Sequence, residues 1–381
     1  MPSTLTAQQR GISVRASGDN ASAGETAAEN ARRLDEAVFG LRSRSPELSA
    51  ATGLWAWQRC VLAAALMFLC LGVALTPETT LIALLAVMAV PFLCVVMLRM
   101  VALWQLAHPL RKPPQAVLWA EPQLPVYTVL VPLLREGSVV PELLDSLRAL
   151  DYPAERLEVM LIVECADEET QAALGCAVLD PHMQVLVVPV GEPRTKPRAI
   201  QYALQFAQGD YVVVYDAEDA PEPDQLRRAM AALKSGGEHM GCLQAQLNIY
   251  NSDATWFTRQ FTVEYTALFD CILPALERLR LPVPLGGTSN HFPRAVLDAV
   301  GGWDPYNVTE DADLGIRLAR GGWHVGVLAS TTWEEAPPTF PGRASVRAGS
   351  RAGCRHTWCT CGARVGCGAS SGRGAFSASK C

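Results

Sequence analysis

The chain has 381 residues, of which 50% are apolar and 18% are charged, and its net charge is −6. This length allows two domains or one large domain with additions, and the high apolar fraction favours a membrane-attached protein. The negative charge argues against a nucleic-acid partner, because nucleic-acid binding needs a basic face.

Residues 1–52 precede the apolar part of the chain and are rich in Ala, Ser, Glu and Arg. Large apolar side chains are few, so little burial is available to offset the entropy cost of ordering this segment. We therefore expect residues 1–52 to form a disordered cytosolic arm.

Two apolar blocks follow within residues 53–104. Each block comes close to the roughly 20 residues that a membrane-spanning helix needs, and only the sequence PETT separates the two. Basic residues flank both outer ends, whereas the connecting turn carries only Glu78. The positive-inside rule then places both ends in the cytosol, which predicts a transmembrane helical hairpin. A pair of buried core helices is the alternative.

Strands and helices alternate after a proline-rich linker. Apolar runs at 126–132, 157–164, 183–190 and 211–216 are predicted strands, and 138–150, 168–178 and 196–208 are predicted helices. Continuous Val, Ile and Leu runs separated by helices indicate an α/β fold, with a mostly parallel sheet covered by helices on both faces. Ligands of such sheets bind beyond the carboxyl ends of the strands.

The fourth predicted strand ends in the densest acid cluster of the chain, DAED at 216–219. Asp216 and Glu218 have D-x-E spacing on a strand-to-loop turn. Carboxylates there can hold a hard divalent ion that bridges two phosphates of a nucleotide. A solvated acidic loop is the alternative, and the two-residue motif by itself favours that alternative. Lys196, at the start of the preceding predicted helix, could contact a phosphate.

Residues 284–323 carry the most specific pattern. Gly286–Asn290 form a small polar loop that suits a close backbone approach to a ligand. Glu310 and Asp311 stand at the start of a predicted helix, DADLGIRLAR. A carboxylate at this place is either a helix cap or a general base that takes a proton from an attacking hydroxyl.

The stretch 126–336 resembles the family 2 glycosyltransferases of GT-A type, in the membrane-bound branch of the cellulose, hyaluronan and mannan synthases. The resemblance rests on the order of six motifs, which are TVLVP with Glu136, LIVE, KPRAIQYAL, DAED, GGTSNHF and TEDADLGIRLARGGW. It implies a GT-A, Rossmann-like catalytic domain over 122–342 that follows the transmembrane hairpin.

The resemblance also implies a function. The implied protein is an inverting transferase that moves a sugar from a UDP- or GDP-sugar to a growing polysaccharide. The implied topology is a multi-pass membrane protein with the catalytic domain at the cytosolic face. We expect the bacterial inner membrane as its location and a glycan or lipid-linked acceptor. Two alternatives are a non-processive transferase to a lipid carrier and a catalytically dead nucleotide-binding fragment or scaffold.

The motifs of the family assign roles to individual residues. Asp216 and Glu218 match the metal-binding D-x-D and imply Mg²⁺ or Mn²⁺, although Glu replaces the second Asp. Asp311 matches the catalytic base of the T-E-D motif, and Glu310 lies beside it. The implied donor-binding residues are Glu136, Glu164, Asp167, Lys196 and Asp216, and the implied acceptor-binding residues are Gly287, Thr288 and Ser289. The chain departs from the family at ECAD (164–167), where many relatives have paired aspartates.

Residues 343–381 also depart from the family, which continues with a Q-x-x-R-W motif and further membrane spans. This tail lacks helical or strand periodicity and is rich in Gly, Ser, Arg and Cys. A disordered tail and a metal knuckle at Cys359, Cys361, Cys367 and His356 are two interpretations. A frameshift is the third, because shifted codons permit Q-R-S-R-W where the family has its motif. The frameshift hypothesis predicts weak or no polymer synthesis by this polypeptide.

Overall fold

The computed structural model describes residues 22–107 and 124–337. The predictions for the tail 343–381 and for the first 21 residues of the arm lie outside the described residues.

One sheet of eight strands forms the centre of the structure. The strands are β1 (Tyr127–Leu133), β2 (Leu157–Glu164), β3 (Met183–Val188), β4 (Tyr211–Val214), β5 (Ala220–Pro221), β6 (Met240–Ile249), β7 (Asn290–Pro293) and β8 (His324–Glu334). Their order across the sheet is β3-β2-β1-β4-β7-β6-β8-β5. The first four are parallel and β6 is parallel to β8, whereas β7 runs antiparallel to both its neighbours and β5 runs antiparallel to β8. The predicted mostly parallel sheet is confirmed.

The helices alternate with these strands through most of the chain. They are α1 (Ser22–Arg44), α2 (Ala56–Leu75), α3 (Pro77–Ala107), α4 (Val140–Arg148), α5 (Glu168–Cys176), α6 (Lys196–Leu204), α7 (Gln225–Ser235), α8 (Trp256–Tyr265), α9 (Leu273–Arg278), α10 (Arg294–Ala299) and α11 (Glu310–Arg320). A π-helical segment, Thr266–Ile272, joins α8 to α9.

Helices cover both faces of the sheet, as predicted. Val129, Val131 and Val213 belong to a core with α4, α5 and α7. The intervening residues Leu130 and Val214 belong to a second core with α6, α10 and α11. This alternation follows from the two-residue period of a strand, and each fully buried aliphatic side chain contributes about 1.5–3 kcal/mol.

Helices α2 and α3 have the length and composition of membrane spans. Their most apolar windows have mean hydropathies of 2.0 and 3.0, and no residue of either window is buried. Core helices would be mostly buried, so the alternative of a buried helix pair is wrong. Only Thr76 separates α2 from α3, and α3 contacts α9 and the π-helical segment. The two helices could form the predicted hairpin.

Residues 22–52 are ordered, so the expectation of disorder is wrong for this part of the arm. Helix α1 contacts α6, and its buried or half-buried face includes Leu34, Ala37, Val38 and Leu41. These residues follow the i, i+3, i+4, i+7 spacing of one helix face. The Ala- and Glu-rich composition that suggested disorder is also the composition of a good helix former, and docking on α6 adds the burial that the segment lacks alone.

Helix α11 lies very close to the segment that leads into the Gly286–Asn290 loop. A Cβ atom added at Gly315 would lie 2.4 Å from the carbonyl oxygen of Val283 and 3.1 Å from the backbone nitrogen of Leu285. Glycine therefore permits this contact between α11 and backbone, and the contact sets the position of the first turn of α11.

Gly315→Ala should destabilise the protein by about 1–3 kcal/mol, because the new methyl group must push α11 away from rigid backbone. The matched control is Gly175→Ala in α5, where an added Cβ would meet no atom within 4 Å. The control should be neutral or stabilising by up to about 1 kcal/mol. Unfolding of the two detergent-solubilised variants measures the difference, and equal stability of both would contradict the close contact.

Candidate active site

The turn after β4 is held by Asp219. The backbone N–H of Asp216 donates to the carboxylate of Asp219 at 2.7 Å and to the hydroxyl oxygen of Thr288 at 3.3 Å. The Thr288 hydroxyl in turn contacts the buried Asp219 carboxylate. Asp219 therefore connects the acidic turn to the Gly286–Asn290 loop.

Lys196 joins three parts of the site. It is the first residue of α6, and its ammonium group donates to Asp216 Oδ1 at 2.5 Å and to the carbonyl oxygen of Gly287 at 2.8 Å. Desolvation opposes the charge of Lys196, but the carboxylates of Asp216, Asp311 and Glu310 outweigh this effect and raise the pKa of the lysine. Lys196 therefore stays charged between the acidic turn and the start of α11.

The predicted base, Asp311, lies in the first turn of α11 and is buried. The indole N–H of Trp303 donates to Asp311 Oδ1 at 3.1 Å. The other oxygen, Oδ2, lies 3.9 Å from the position that a Cβ on Gly287 would take. Desolvation and the charge of Glu310 raise the pKa of Asp311 to about 7, against the lowering effects of Lys196 and Trp303. A carboxyl group with this pKa suits proton transfer near neutral pH.

Further carboxylates meet at the carboxyl ends of β1 and β4. Burial raises the pKa of Glu136 to about 8, and the charges of Asp216 and Glu218 add to this increase. Burial and the charge of Asp216 raise the pKa of Glu218 to about 7. The charges of the D-x-E pair therefore act on Glu136, whose contact with the donor stays a prediction.

Glu334, which ends β8, is a further carboxylate near the acidic turn that no predicted motif contains. Its carboxylate accepts a hydrogen bond from the Tyr265 hydroxyl at 3.0 Å. Desolvation and the charges of Asp216 and Glu218 raise its pKa to about 8. The sequence nevertheless contains a signal for Glu334. The acid pair Glu334–Glu335 follows the largely apolar run HVGVLAS, just as acidic residues follow the apolar run of β4.

The donor set fits a divalent ion that is shared with a bound diphosphate. Asp216 and Glu218 provide two carboxylates, and Asp219 Oδ1 is buried beside them without a hydrogen-bond partner. Among the described residues, no three His, Cys, Asp or Glu side chains form a complete metal cage. Mg²⁺ is commonly held by one or two carboxylates with phosphate and water oxygens, so the pair is sufficient.

Glu164 and Asp167 lie at the carboxyl end of β2 but are engaged within the protein. Both oxygens of Glu164 accept from the buried guanidinium of Arg198 at 2.6 Å. Asp167 caps α5 by accepting from the backbone N–H of Thr170 at 3.2 Å, and it also accepts from the N–H of Arg135 at 2.5 Å. Contact of Glu164 and Asp167 with the nucleotide-sugar donor remains a prediction. In the structure, Glu164 binds Arg198 and Asp167 caps α5.

Two of the three predicted acceptor residues face the interior. Thr288 and Ser289 are 2% and 0% exposed. The Ser289 hydroxyl donates to Thr332 Oγ1 at 2.7 Å, and the Thr288 hydroxyl contacts Asp219. The prediction that the Thr288 and Ser289 side chains bind the acceptor is therefore corrected. Both side chains hold the loop in place instead. Gly287 is exposed and lies between Lys196 and Asp311.

Trp303 and Gln244 support the site and were also missed. Trp303 donates its indole N–H to Asp311, and its sequence signal is a large aromatic residue between Gly301–Gly302 and the T-E-D motif. Gln244, on β6, accepts from the N–H of Gly286 at 2.7 Å and donates to the carbonyl of Thr288 at 3.0 Å. No local pattern marks Gln244, because its partners lie some forty residues away in sequence.

Comparison with known proteins identifies glycosyltransferases as relatives of this chain. The family described as "Glycosyltransferase like family 2" matches residues 122–351. A β-monoglucosyldiacylglycerol synthase from Synechocystis sp. is 31% identical over 217 residues, which are 55% of this chain and 44% of that protein. Glucomannan 4-β-mannosyltransferase 2 from Arabidopsis thaliana is 25% identical over 227 residues, or 57% of this chain and 42% of that protein.

Among solved structures, a mannosyltransferase from Pyrobaculum calidifontis in complex with GDP-mannose and Mn²⁺ has a TM-score of 0.48 and 24% identity, covering 63% of this chain and 69% of that one. The chain spans about half the length of the curated relatives that it matches. The family match covers more than half of the chain, including both acidic motifs and Lys196. The chain therefore belongs to the glycosyltransferase family 2.

Proposed function

We propose that this protein is an inverting, metal-dependent glycosyltransferase that moves a sugar from a nucleotide-sugar donor to an acceptor at the membrane. One observation carries the proposal. Lys196 brings the D-x-E turn and the Gly287 carbonyl together beside Asp311, although these residues lie up to 115 positions apart in the sequence. A phosphate-binding group, a metal-binding pair and a base thus share one site.

The donor diphosphate lies at the carboxyl ends of β1, β2 and β4 in this proposal. Asp216 and Glu218 would hold Mg²⁺ or Mn²⁺, which would supply positive charge to the leaving diphosphate. Lys196 adds a fixed positive charge on the same side, where it stabilises the negative charge that develops as the sugar–phosphate bond breaks. The uridine or guanosine base lies toward Glu164 and Asp167.

Asp311 acts on the acceptor. Its carboxylate takes the proton of an acceptor hydroxyl while the hydroxyl oxygen forms a bond to the anomeric carbon of the donor sugar. The bond from that carbon to the diphosphate oxygen breaks, and the nucleoside diphosphate leaves with the electron pair. A single displacement of this kind inverts the anomeric configuration. The exposed backbone of Gly287 lets the acceptor approach Asp311 closely.

The acceptor is a growing polysaccharide in this proposal, with α2 and α3 in the bilayer and the catalytic domain on the cytosolic side. A lipid acceptor is the second candidate, because a relative with 31% identity is a glucosyldiacylglycerol synthase. Product size separates the two, since polymer synthesis gives a ladder of labelled glycans and single addition gives one glycolipid.

Asp311→Asn should lower turnover by about 10²–10⁴-fold, because asparagine cannot accept the hydroxyl proton. Nucleotide release from UDP- and GDP-sugars by the membrane fraction measures this loss. Asp298→Asn in α10 is the matched control, because Asp298 pairs with Arg294 at the surface and should be dispensable. Equal activity of both variants, or wild-type protein that binds nucleotide without turnover, would favour the scaffold alternative.

Glu218→Gln should weaken Mn²⁺-dependent nucleotide binding on the order of 10- to 100-fold, because one anionic metal ligand is lost. Glu218→Asp keeps the charge and restores the D-x-D pattern of the family, so it should bind nucleotide within a few-fold of wild type. Titration of UDP or GDP in the presence of Mn²⁺ or EDTA measures both variants. Identical affinity of Glu218→Gln and wild type would remove Glu218 from the metal site.

The pH profile of kcat/KM should rise through about pH 7. The pKa of Asp311 is raised to about 7, so the base is mostly protonated and inactive below this pH. Activity at pH 6 should be about one tenth of the plateau, since kcat/KM reports the free enzyme's essential base. A profile that stays flat from pH 5.5 to pH 8 would contradict the role of Asp311.

A further inference from the structure

A buried aspartate connects the catalytic domain to the segment that enters the membrane hairpin. Asp304 Oδ2 accepts from the backbone N–H of Ala50 at 2.6 Å, and Asp304 Oδ1 accepts from the hydroxyl of Ser49 at 3.3 Å. Asp304 is 1% exposed. Ser49 and Ala50 lie between α1 and α2, a few residues before the first apolar helix begins.

The neighbours of Asp304 contact the catalytic machinery on both sides. Trp303 donates its indole N–H to the base Asp311. The carbonyl oxygen of Pro305 accepts from the hydroxyl of Thr195 at 3.0 Å, and Thr195 directly precedes Lys196. Three consecutive residues thus bind the pre-membrane segment, the helix with the base and the helix with the phosphate-binding lysine.

The turn also holds Asp304 by itself, because the backbone N–H of Tyr306 donates to Asp304 Oδ1 at 3.1 Å. Further contacts come from α1 and α6. Gln201 Oε1 accepts from the backbone N–H of Trp303 at 2.9 Å, and the side chain of Leu41 lies directly against Gly301. A buried carboxylate needs hydrogen bonds, and hydrogen bonds to a charged acceptor are about twice as strong as neutral ones. Without the donors at Ser49 and Ala50, the Asp304 carboxylate would keep the Tyr306 N–H as its one donor among the described residues, and the turn that carries Trp303 would lose its connection to the pre-membrane segment.

We propose that Asp304 is a positioning residue that couples the pre-membrane segment to the catalytic base, because its hydrogen bonds to Ser49 and Ala50 hold Trp303 against Asp311. This inference rests on the proposed function for its kinetic consequence. A shift of the reacting groups by about 1 Å can reduce turnover by as much as 10²-fold, so a remote hydrogen bond at this turn has a measurable effect.

Ala50→Pro tests the coupling without a change in the catalytic domain, because proline lacks the N–H that Asp304 accepts. Proline fits this position. Ser49 has φ −104° and ψ 135°, the extended conformation that residues before proline adopt, and Ala50 opens a 3₁₀ turn. The matched control is Ala50→Gly, which keeps the N–H.

Asp304→Ala and Asp304→Asn form the second pair of variants, in which asparagine retains one acceptor oxygen.

Ala50→Pro and Asp304→Ala in the detergent-solubilised full chain should lower kcat about tenfold, while KM for the nucleotide-sugar changes less than twofold. Ala50→Gly should match wild type, and Asp304→Asn should recover at least half of the wild-type kcat. The pH profile of Ala50→Pro should also move to higher pH, because the Trp303 hydrogen bond lowers the pKa of Asp311. Glu310, Lys196 and Asp216, the other charges acting on Asp311, are unchanged in these variants.

Wild-type kcat in both Ala50→Pro and Asp304→Ala would overturn the proposal, as would a parallel loss of kcat, donor affinity and thermal stability. Hydrogen exchange of the peptide 303–311 provides a readout that needs no turnover. Faster exchange in Ala50→Pro but not in Ala50→Gly supports the coupling, and unchanged exchange overturns it. Absence of turnover in the wild-type chain with every sugar nucleotide would reject the proposed function, and the exchange result would then decide the coupling alone.

Discussion

The ammonium group of Lys196 lies between the Asp216 carboxylate and the Gly287 carbonyl, and the arrangement of the site depends on this contact. Without a cation there, the carboxylate of Asp216 and those of Glu310 and Asp311 at the start of α11 would repel each other, since the charges of all three act on this lysine. Several elements of the fold position the Lys196 ammonium group. Helix α6 begins at Lys196, α1 packs along α6, and the 303–305 turn contacts Thr195 next to it.

Burial of so many acids makes the site unfavourable in the absence of a ligand. Desolvation and mutual repulsion raise the pKa of Glu136 and Glu334 to about 8 and that of Glu218 to about 7. A divalent ion would relieve this repulsion because it supplies positive charge, and the negatively charged diphosphate of the donor requires the same ion. Local instability of this kind is common at functional sites, where the surrounding structure maintains it.

Local patterns predicted the parallel half of the sheet correctly, because each of its strands is a contiguous apolar run. The roles of the acidic motifs, which rest on fixed spacings, stay predictions. No uninterrupted apolar run spans β6 or β8, because buried polar residues such as Gln244 and Thr332 interrupt their apolar pattern, and β7 begins inside the predicted Gly286–Asn290 loop. The contacts of Trp303, Gln244 and Glu334 are tertiary. Helix α1 was missed because its stability depends on docking against α6, which its composition does not show.

The central claim is that the D-x-E turn, Lys196 and Asp311 act as one unit, and a double-mutant cycle tests it most directly. Turnover of Lys196→Ala, Asp311→Asn and the double variant is measured with the same sugar nucleotide and Mn²⁺. When residues act as one catalytic unit, the effects of their substitutions on turnover are strongly non-additive. The double variant should therefore lose little more activity than the less active single variant. Losses that multiply would show that Lys196 and Asp311 act independently, and would contradict the single site described here.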